Sequence, residues 1–395
     1  MFGLGTREKV CRICGKRSRL IASSIGVCVD CLRNNSEEAL KIAMEAHRTS
    51  KGMYGLPPEP PRRADGIACG MCANECVIGE KEYGYCGLVK VEDGRLVRIA
   101  GTEDKGLLEW YYDPLPTNCV AEPFCPGCRG VGYPKYAYSR DGPEYGHDNL
   151  AVFYGACSLD CLFCQNWHYR ELTLKARPLV SAEELADVAL RNRRVSCICY
   201  FGGDPSPQMP HALKVSEIAL ERADKEHRIM RICWETNGLM KRAFLEKAVE
   251  LSLVSGGIVK VDFKAWHEAV HKALCGVSNR PIIENLRVIA KRFDERPEVP
   301  LLVVSTLLVP GYVDAEEVRC IASYLADLDP RIPLVLLAFY PQYLMTDLPC
   351  TSRRHALECV EVAKREGLER VTICLLYTSD AADEGLGVDL GGRRI

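Results

Sequence analysis

The sequence lacks a large net charge of either sign, because its 51 lysine and arginine residues nearly balance 53 aspartate and glutamate residues, which leaves a formal net charge of −2 over 395 positions. The chain as a whole therefore has no strong attraction to nucleic acid or to an anionic membrane. The exception is the range 1–20, where six basic residues accompany one acidic residue. Nucleic acid thus stays open as a partner of that end alone.

Long apolar runs are also missing. No run reaches the ~18 residues that a membrane-spanning helix needs, so we expect no membrane partner. The first residues lack the apolar stretch of a signal peptide, and we expect a cytoplasmic protein. Hydrophobic residues still make up 47% of the chain, which suffices for a sizeable core. The length predicts roughly two domains.

Cysteine, in contrast, is abundant, with 22 residues. Disulfide frameworks belong mainly to small secreted domains, whereas this chain is long and groups many of its cysteines in tight C-x2-C pairs. Metal binding under reducing conditions is the better interpretation.

The first cysteine group consists of two C-x2-C knuckles that 13 residues separate. This spacing is typical of a zinc ribbon or of a rubredoxin-like site, in which four thiolates close a structural metal site. We expect zinc rather than iron. The predicted ligands are Cys11, Cys14, Cys28 and Cys31.

A second group has the spacing C-x2-C-x3-C-x9-C, formed by Cys69, Cys72, Cys76 and Cys86. Four thiols here predict either a zinc site or an auxiliary iron–sulfur cluster, and the spacing does not decide between them. Bound metal would help to fold 69–149, which has little core-forming sequence. Three further thiols follow, which either complete a cluster or line it: Cys119, Cys125 and Cys128.

From residue 150 onward, short apolar runs alternate with amphipathic helix patterns. This alternation indicates a parallel sheet covered by helices. The chain is therefore predicted to have an α/β fold with a partial (β/α)6 TIM-like barrel, whose strand ends form the functional face. The predicted strands are 150–154, 195–201, 229–234, 258–263, 301–309 and 334–340.

The density of cysteines and the change in hydrophobic pattern divide the chain into five segments. Ala43 and His47 belong to a helical repeat that precedes a linker rich in glycine, proline and charge. Near the C-terminus, CLLYTSDAADE resembles a translated sequencing adapter and is excluded from fold reasoning. The predicted segments are a zinc-ribbon-like 1–35, a helix and linker 36–66, a cysteine-rich 67–149, the barrel 150–373 and the adapter-like 374–395.

The stretch YGACSLDCLFCQNW places Cys157, Cys161 and Cys164 on one loop directly after the first predicted strand. Tetrahedral zinc needs four ligands, whereas a [4Fe-4S] cluster held by three cysteines keeps one iron open. Three thiols are therefore a functional number for a cluster that binds a substrate or cofactor at its open iron.

This spacing, with Phe163 before the last cysteine, resembles the signature of the radical S-adenosylmethionine (SAM) superfamily. LDCLFCQNW is especially similar to relatives of the pyruvate formate-lyase activating enzymes, including the AmmeMemoRadiSam proteins, and the resemblance covers about 119–373. It implies that a reduced [4Fe-4S] cluster on the three cysteines cleaves SAM to a 5'-deoxyadenosyl radical. It also implies an electron donor such as flavodoxin or ferredoxin.

Two glycines and an acid follow the second predicted strand in GGDP, 202–205. Glycines at a strand end let the backbone approach a ligand closely, although a GG pair is also a common tight turn. The motif resembles the family's GGE. The resemblance implies that Gly202, Gly203 and Asp204 contact the methionine amino group of SAM.

Charged residues mark the next two strand ends. ETNG begins at Glu235, and VDFKAW contains Asp262 and Lys264, which match the family's ETNG and D-x-K motifs. Carboxylates near a buried strand are costly unless they are paired, so a charged group is expected there. The resemblance implies that this group contacts the SAM carboxylate, and the alternative is a structural ion pair at the barrel mouth.

Three functions follow from these patterns. In the first, a radical SAM enzyme abstracts hydrogen from a glycine of a partner protein, as an activating enzyme does. In the second, the substrate is a small molecule, a peptide or RNA, and the ribbon is a recognition module. In the third, the chain is a non-catalytic metal-binding scaffold, against which the intact motifs argue.

Overall fold

The structure is a computed structural model, and it describes residues 7–117 and 119–374. The adapter-like segment predicted at 374–395 lies outside the described residues, apart from Cys374, which ends the last strand. Within the described ranges, no helix is both long enough and apolar enough to cross a bilayer.

The N-terminal third consists of short elements around the cysteine groups. The helix predicted from Ala43 and His47 is confirmed, and both residues lie on its buried face. The elements are β1 (Lys9–Val10), β2 (Arg17–Ser18), α1 (Val29–Asn34), α2 (Ser36–Gly52), β3 (Ile67–Ala68), β4 (Val77–Ile78), β5 (Val89–Glu92), β6 (Arg95–Arg98), β7 (Gly106–Pro114) and α3 (Pro126–Arg129).

Strands and helices alternate in the remainder of the chain, and each of the six predicted runs forms a strand. The elements are β8 (Asp148–Tyr154), α4 (Tyr169–Lys175), β9 (Leu179–Val180), α5 (Ala182–Arg191), β10 (Val195–Gly202), α6 (Met209–Lys225), β11 (Arg231–Thr236), α7 (Arg242–Ser255), β12 (Val259–Asp262), α8 (Glu268–Cys275), α9 (Arg280–Ala290), β13 (Leu302–Leu308), α10 (Ala315–Leu328), β14 (Leu334–Ala338), α11 (Arg353–Arg365) and β15 (Val371–Cys374).

One nine-stranded sheet forms the main body, in the order β15-β14-β13-β12-β11-β10-β8-β7-β9. Neighbouring strands from β8 to β15 are parallel, while β7 runs antiparallel to both β8 and β9. In the described part of the chain, the edge strands β9 and β15 do not pair, so the barrel is open. The predicted α/β class and partial barrel are confirmed.

The N-terminal segment packs firmly against the barrel. Arg33 of α1 donates to Asp314 at 3.0 Å and to the fully buried Glu317 at 2.9 Å. The hydroxyl of Tyr312 donates to the carbonyl of Val27 at 3.0 Å and accepts from the amide of Ala22 at 3.0 Å. The ribbon and the barrel thus share one hydrophobic core.

Candidate active site and metal centres

A cavity of about 220 Å³ lies at the carboxyl ends of the parallel strands. The three thiols of the loop after β8 line one wall, and the motifs after β10, β11 and β12 line the others. Every residue predicted to hold the cluster or SAM is part of this lining: Cys157, Cys161, Cys164, Phe163, Gly202, Gly203, Asp204, Glu235, Asp262 and Lys264.

Backbone contacts fix the three-cysteine loop from both sides. The amide of Asp160 donates to the carbonyl of Cys275 at 2.9 Å, which ties the loop to the end of α8. From the cysteine-rich segment, the side chain of Asn74 donates to the carbonyl of Ser158 at 2.6 Å. The loop therefore depends on segments outside the barrel for its shape.

Asp160, in the middle of the loop, is a buried acid with three side-chain partners. His47 and Ser50 of α2 contact its two oxygens at 2.9 and 2.8 Å, and Arg170 of α4 lies at 2.7 Å. Burial alone would raise its pKa, but the hydrogen bond from His47 and the charges of Lys51 and Arg170 hold the pKa well below its usual range. The sequence analysis did not predict the contacts of Asp160, although an acidic residue between two predicted cluster ligands could have indicated a buried ion pair.

Alternating charges line the part of the cavity at the ends of β11 and β12. Lys260, which sequence reasoning also missed, lies 3.1 Å from Glu235 and 2.8 Å from Asp262, and Lys264 lies 2.9 Å from Asp262. Burial opposes the charge on Asp262, but the two lysines outweigh it and lower its pKa. Asp262 also accepts from Ser305 on β13. The two lysines and the two carboxylates balance, so this wall has no net charge. It can therefore pair with both charges of a zwitterionic ligand group.

The two glycines of GGDP allow a close approach between strand ends. Gly202 has a φ of 105°, and a Cβ on Gly203 would lie 2.0 Å from the carbonyl oxygen of Ala156. Asp204 is buried, and its oxygens accept from the amides of Ser206 and Asn237, both at 2.8 Å. These contacts join β10 to the cysteine loop and to ETNG.

Replacement of Gly203 by alanine is expected to destabilise the protein by about 1–3 kcal/mol, because the new methyl group overlaps backbone that cannot move freely. The free energy of unfolding in urea measures this. Gly52→Ala is the matched control, since a Cβ there has open space, and its stability should change by less than about 0.5 kcal/mol. Equal stability of the two variants would contradict the close approach.

Two further residues contact the cluster thiols. The amide nitrogen of Asn237 lies 3.5 Å from the sulfur of Cys157 and 2.9 Å from the hydroxyl of Ser158. The buried thiol of Cys275 lies 3.6 Å from the sulfur of Cys161. Asn237 belongs to the ETNG motif, whereas no sequence signal distinguishes Cys275 from other buried cysteines.

The first cysteine group is brought together. The sulfurs of Cys11, Cys14, Cys28 and Cys31 all lie within 4.8 Å of one another, and two of the distances are 3.7 Å. Four ligands at the 2.3 Å of a Zn–S bond would be about 3.8 Å apart in a tetrahedron. Burial opposes ionisation of Cys11, but backbone amides outweigh it and lower its pKa to about 6. The group fits one tetrahedral metal ion.

The second cysteine group has a wider spacing. Cys69, Cys72, Cys76 and Cys86 line one small cavity together with Asn74. Among the described residues, their sulfurs do not form a set within 4.8 Å of one another. This arrangement is too wide for a single tetrahedral ion and leaves space between the thiols.

Basic side chains near the N-terminus are partly neutralised within the chain. Lys16 lies 2.7 Å from Asp30, and Arg12 lies 3.1 Å from Glu45. These exposed pairs reduce the local positive charge that the sequence suggested for nucleic acid, and binding of nucleic acid at this end stays a prediction.

A larger groove of about 940 Å³ adjoins the cavity. Asn166, Gly202 and Gly203 line both spaces. The outer part of the groove lies along β7 and β8 and is lined by aromatic residues, among them Trp110 and Phe153. The cavity therefore opens into a larger groove with an aromatic lining.

The sequence model of the Radical SAM superfamily matches residues 151–322, which include the whole cysteine loop and each motif of the cavity. Residues 151–322 are a radical SAM domain. This family implies a [4Fe-4S] cluster and SAM as cofactors. The radical SAM domain here carries the three soft thiol donors and the charged wall that such cofactors need, so the residues fit them.

Relatives of the chain include an uncharacterized protein and an enzyme that is named an activating enzyme. An uncharacterized protein of Methanocaldococcus jannaschii is 26% identical over 327 residues, which is 78% of this chain and 80% of that protein. The isethionate sulfite-lyase activating enzyme of Oleidesulfovibrio alaskensis is 35% identical over 139 residues, 35% of this chain and 40% of that enzyme. The latter match thus spans less than half of either chain.

Among solved structures, a domain of the pyruvate-formate lyase-activating enzyme from Bacteroides vulgatus is 22% identical. It covers 45% of this chain and 98% of its own, with a TM-score of 0.35.

Proposed function

We propose that this protein is a radical SAM enzyme that reductively cleaves SAM and abstracts hydrogen from a protein or peptide segment. Cys157, Cys161 and Cys164 would hold the [4Fe-4S] cluster. The observation that carries the proposal is the single cavity in which these thiols face the charged group of Glu235, Asp262 and Lys264. A scaffold without catalysis has no need for this juxtaposition.

The lining suits SAM because it offers both charges and apolar surface. The lysines and carboxylates on the ends of β11 and β12 can pair with the amino acid part of SAM, and the bare backbone at Gly202 and Gly203 admits it closely. Phe163, Leu307 and Leu337 add apolar surface to the lining. Asp204 supports this lining through its hydrogen bonds. Its direct contact with the amino group of SAM stays a prediction.

With one electron, cluster and SAM together supply methionine and a 5'-deoxyadenosyl radical. The protein would hold a substrate C–H bond beside the 5'-carbon of this radical, and transfer of the hydrogen atom would give 5'-deoxyadenosine and a substrate radical. Residues shared by cavity and groove, Asn166 and Gly202, lie on the route between them. An electron donor such as flavodoxin or ferredoxin would supply the electron.

The adjoining groove offers aromatic surface beyond the cavity, on which a segment of a partner protein could lie. The name of the O. alaskensis relative, an activating enzyme for a sulfite-lyase, supports the same class of substrate. We therefore propose hydrogen abstraction from an extended segment of a partner protein, as in glycyl-radical activation. Modification of a small molecule or of RNA stays the alternative.

Anaerobic reconstitution with iron and sulfide, followed by reduction in the presence of SAM, tests the proposed function. We expect 5'-deoxyadenosine and methionine in equal amounts, which chromatography with mass detection measures. A reconstituted protein that holds its cluster but forms no 5'-deoxyadenosine would contradict the proposal and favour the scaffold.

We further propose different metals for the two N-terminal cysteine groups. The tetrahedral spacing of the first group supports zinc, whereas the wider second group supports an auxiliary iron–sulfur cluster. Asn74 lies in the cavity of the second group and also bonds the carbonyl of Ser158, next to Cys157. The second group would thus lie on a short path for electrons to the SAM cluster.

Iron analysis of the reconstituted chain tests the auxiliary cluster. Two [4Fe-4S] clusters give about eight iron atoms per chain, and Cys72→Ala should reduce this to about four. Cys359→Ala, a buried cysteine of α11 outside every group, is the control and should keep the full iron content. Loss of zinc instead of iron from the Cys72 variant would identify the group as a zinc site.

A further inference from the structure

Three metal-ligating side chains from separate parts of the chain meet inside the sheet. The sulfur atoms of Cys119 and Cys199 lie within 4.8 Å of each other, and both lie within 4.8 Å of a carboxylate oxygen of Glu235. None belongs to the two N-terminal cysteine groups, and neither cysteine belongs to the three-cysteine loop. The group therefore shares Glu235 with the charged wall of the cavity, while its two thiols are distinct from the other cysteine groups.

The fold itself produces this meeting. Cys199 of β10 pairs in register with Cys233 of β11, so Glu235 lies two residues further along the neighbouring strand, on the same face of the sheet. Cys119 comes from the segment before the barrel, which packs on that inner face against Val303 and Val335. Backbone register and a packed segment hold the three ligands in place.

We propose that Cys119, Cys199 and Glu235 bind a zinc ion whose fourth position is open toward the cavity. Two thiolates and a carboxylate are donors that zinc accepts, and three protein ligands with an open position are the arrangement of catalytic rather than structural zinc. The ion would take a carboxylate or thiolate of the substrate in its fourth position.

The place of the group favours an open position. Glu235 lines the cavity, as do Val120, next to Cys119, and Phe201, two residues beyond Cys199 on the same face of β10. The ion would thus lie next to the cavity lining. Its role in substrate binding rests on the proposed function, whereas binding of the ion does not.

Charge is balanced when the ion binds. Glu235 and Asp262 already face the two ammonium groups of Lys260 and Lys264. Binding of a divalent ion releases one proton from each of the two thiols, so the total charge of the group does not change. The ion therefore needs no further counter-charge in this buried place.

Zinc content of the full chain tests the site. The wild-type chain, reconstituted with its clusters, should hold about one zinc more than Cys199→Ala, while the ribbon zinc stays in both. Cys197→Ala is the matched control: Cys197 lies on the same strand and face but donates to Asn149 at 3.0 Å, outside the group. It should keep the wild-type zinc content.

An equal zinc content in wild type and Cys199→Ala would overturn the site, provided that circular dichroism shows both proteins to be folded. If Cys199→Ala does not fold, X-ray absorption at the zinc edge of the wild type decides. One ribbon ion and one inner ion give about three sulfur ligands per zinc on average. An average of four sulfur ligands rejects the inner site. Zinc content is independent of SAM cleavage, so the two proposals fail separately.

Discussion

Cys161→Ala should lose the cluster of the three-cysteine loop and more than about 100-fold of its 5'-deoxyadenosine formation. The expectation follows because even the loss of an outer partner of a metal ligand typically costs about 10–100-fold, and Cys161 would be a direct ligand. Electron paramagnetic resonance of the reduced protein measures the cluster, and product analysis measures SAM cleavage.

Cys275→Ala is the matched control for this prediction. Its thiol lies only 3.6 Å from that of Cys161, yet it is fully buried at the end of α8 and does not line the cavity. The variant should keep the cluster signal and at least about a tenth of the activity. If both variants lost the cluster equally, Cys275 would be part of the ligand set, and the assignment of three ligands would be wrong.

Asp160→Ala should lower the free energy of unfolding by about 3–5 kcal/mol, because it leaves the buried Arg170 without its acid partner. His47 and Ser50 would lose their bonds at the same time, and α2 would lose its main polar attachment to the loop. Anaerobic urea unfolding measures the change. Asp30→Ala, which breaks an exposed pair with Lys16, should cost less than about 1 kcal/mol.

The same carboxylate predicts a pH dependence. The folded protein holds the pKa of Asp160 well below its unfolded value of about 4, so its stabilisation is fully present above that pH. It is lost as the pH falls further and the folded carboxylate becomes protonated. The stability difference between wild type and Asp160→Asn should therefore shrink below about pH 4. A constant difference down to pH 2 would contradict the assignment.

Most of the barrel was predictable because its central strands are buried on both faces and read as apolar runs. Of the strands in the nine-stranded sheet, β7, β9 and β15 were not predicted. The run at 371–374 is only four residues long, and Gly106–Pro114 lies in a segment that has little core-forming sequence. Pairing with β8 and β14 makes these two pieces strands, and such pairing is a tertiary effect that local sequence does not carry.

The candidate site was predictable where a motif ends a strand. The residues that support it were not, because their partners are distant in sequence: 113 residues separate His47 from Asp160. Lys260 had a weak signal, a charge in an apolar run, but nothing in the run names Glu235 and Asp262 as its partners. Cys199 had none, since buried cysteines commonly pack as small apolar residues. Cys119 was predicted to complete or line a cluster with Cys125 and Cys128, and its sequence neighbours do not name Cys199 or Glu235 as partners.

The attachment of the ribbon to the barrel has a consequence for synthesis of the chain. Arg33 and Asp314 are 281 residues apart, and Val27 and Tyr312 are 285 apart. At about 5–20 residues per second, the surface that receives the ribbon is made roughly 14–57 s after the ribbon itself. All four thiols of the first group lie within residues 11–31, so this group can close around a metal ion long before it docks.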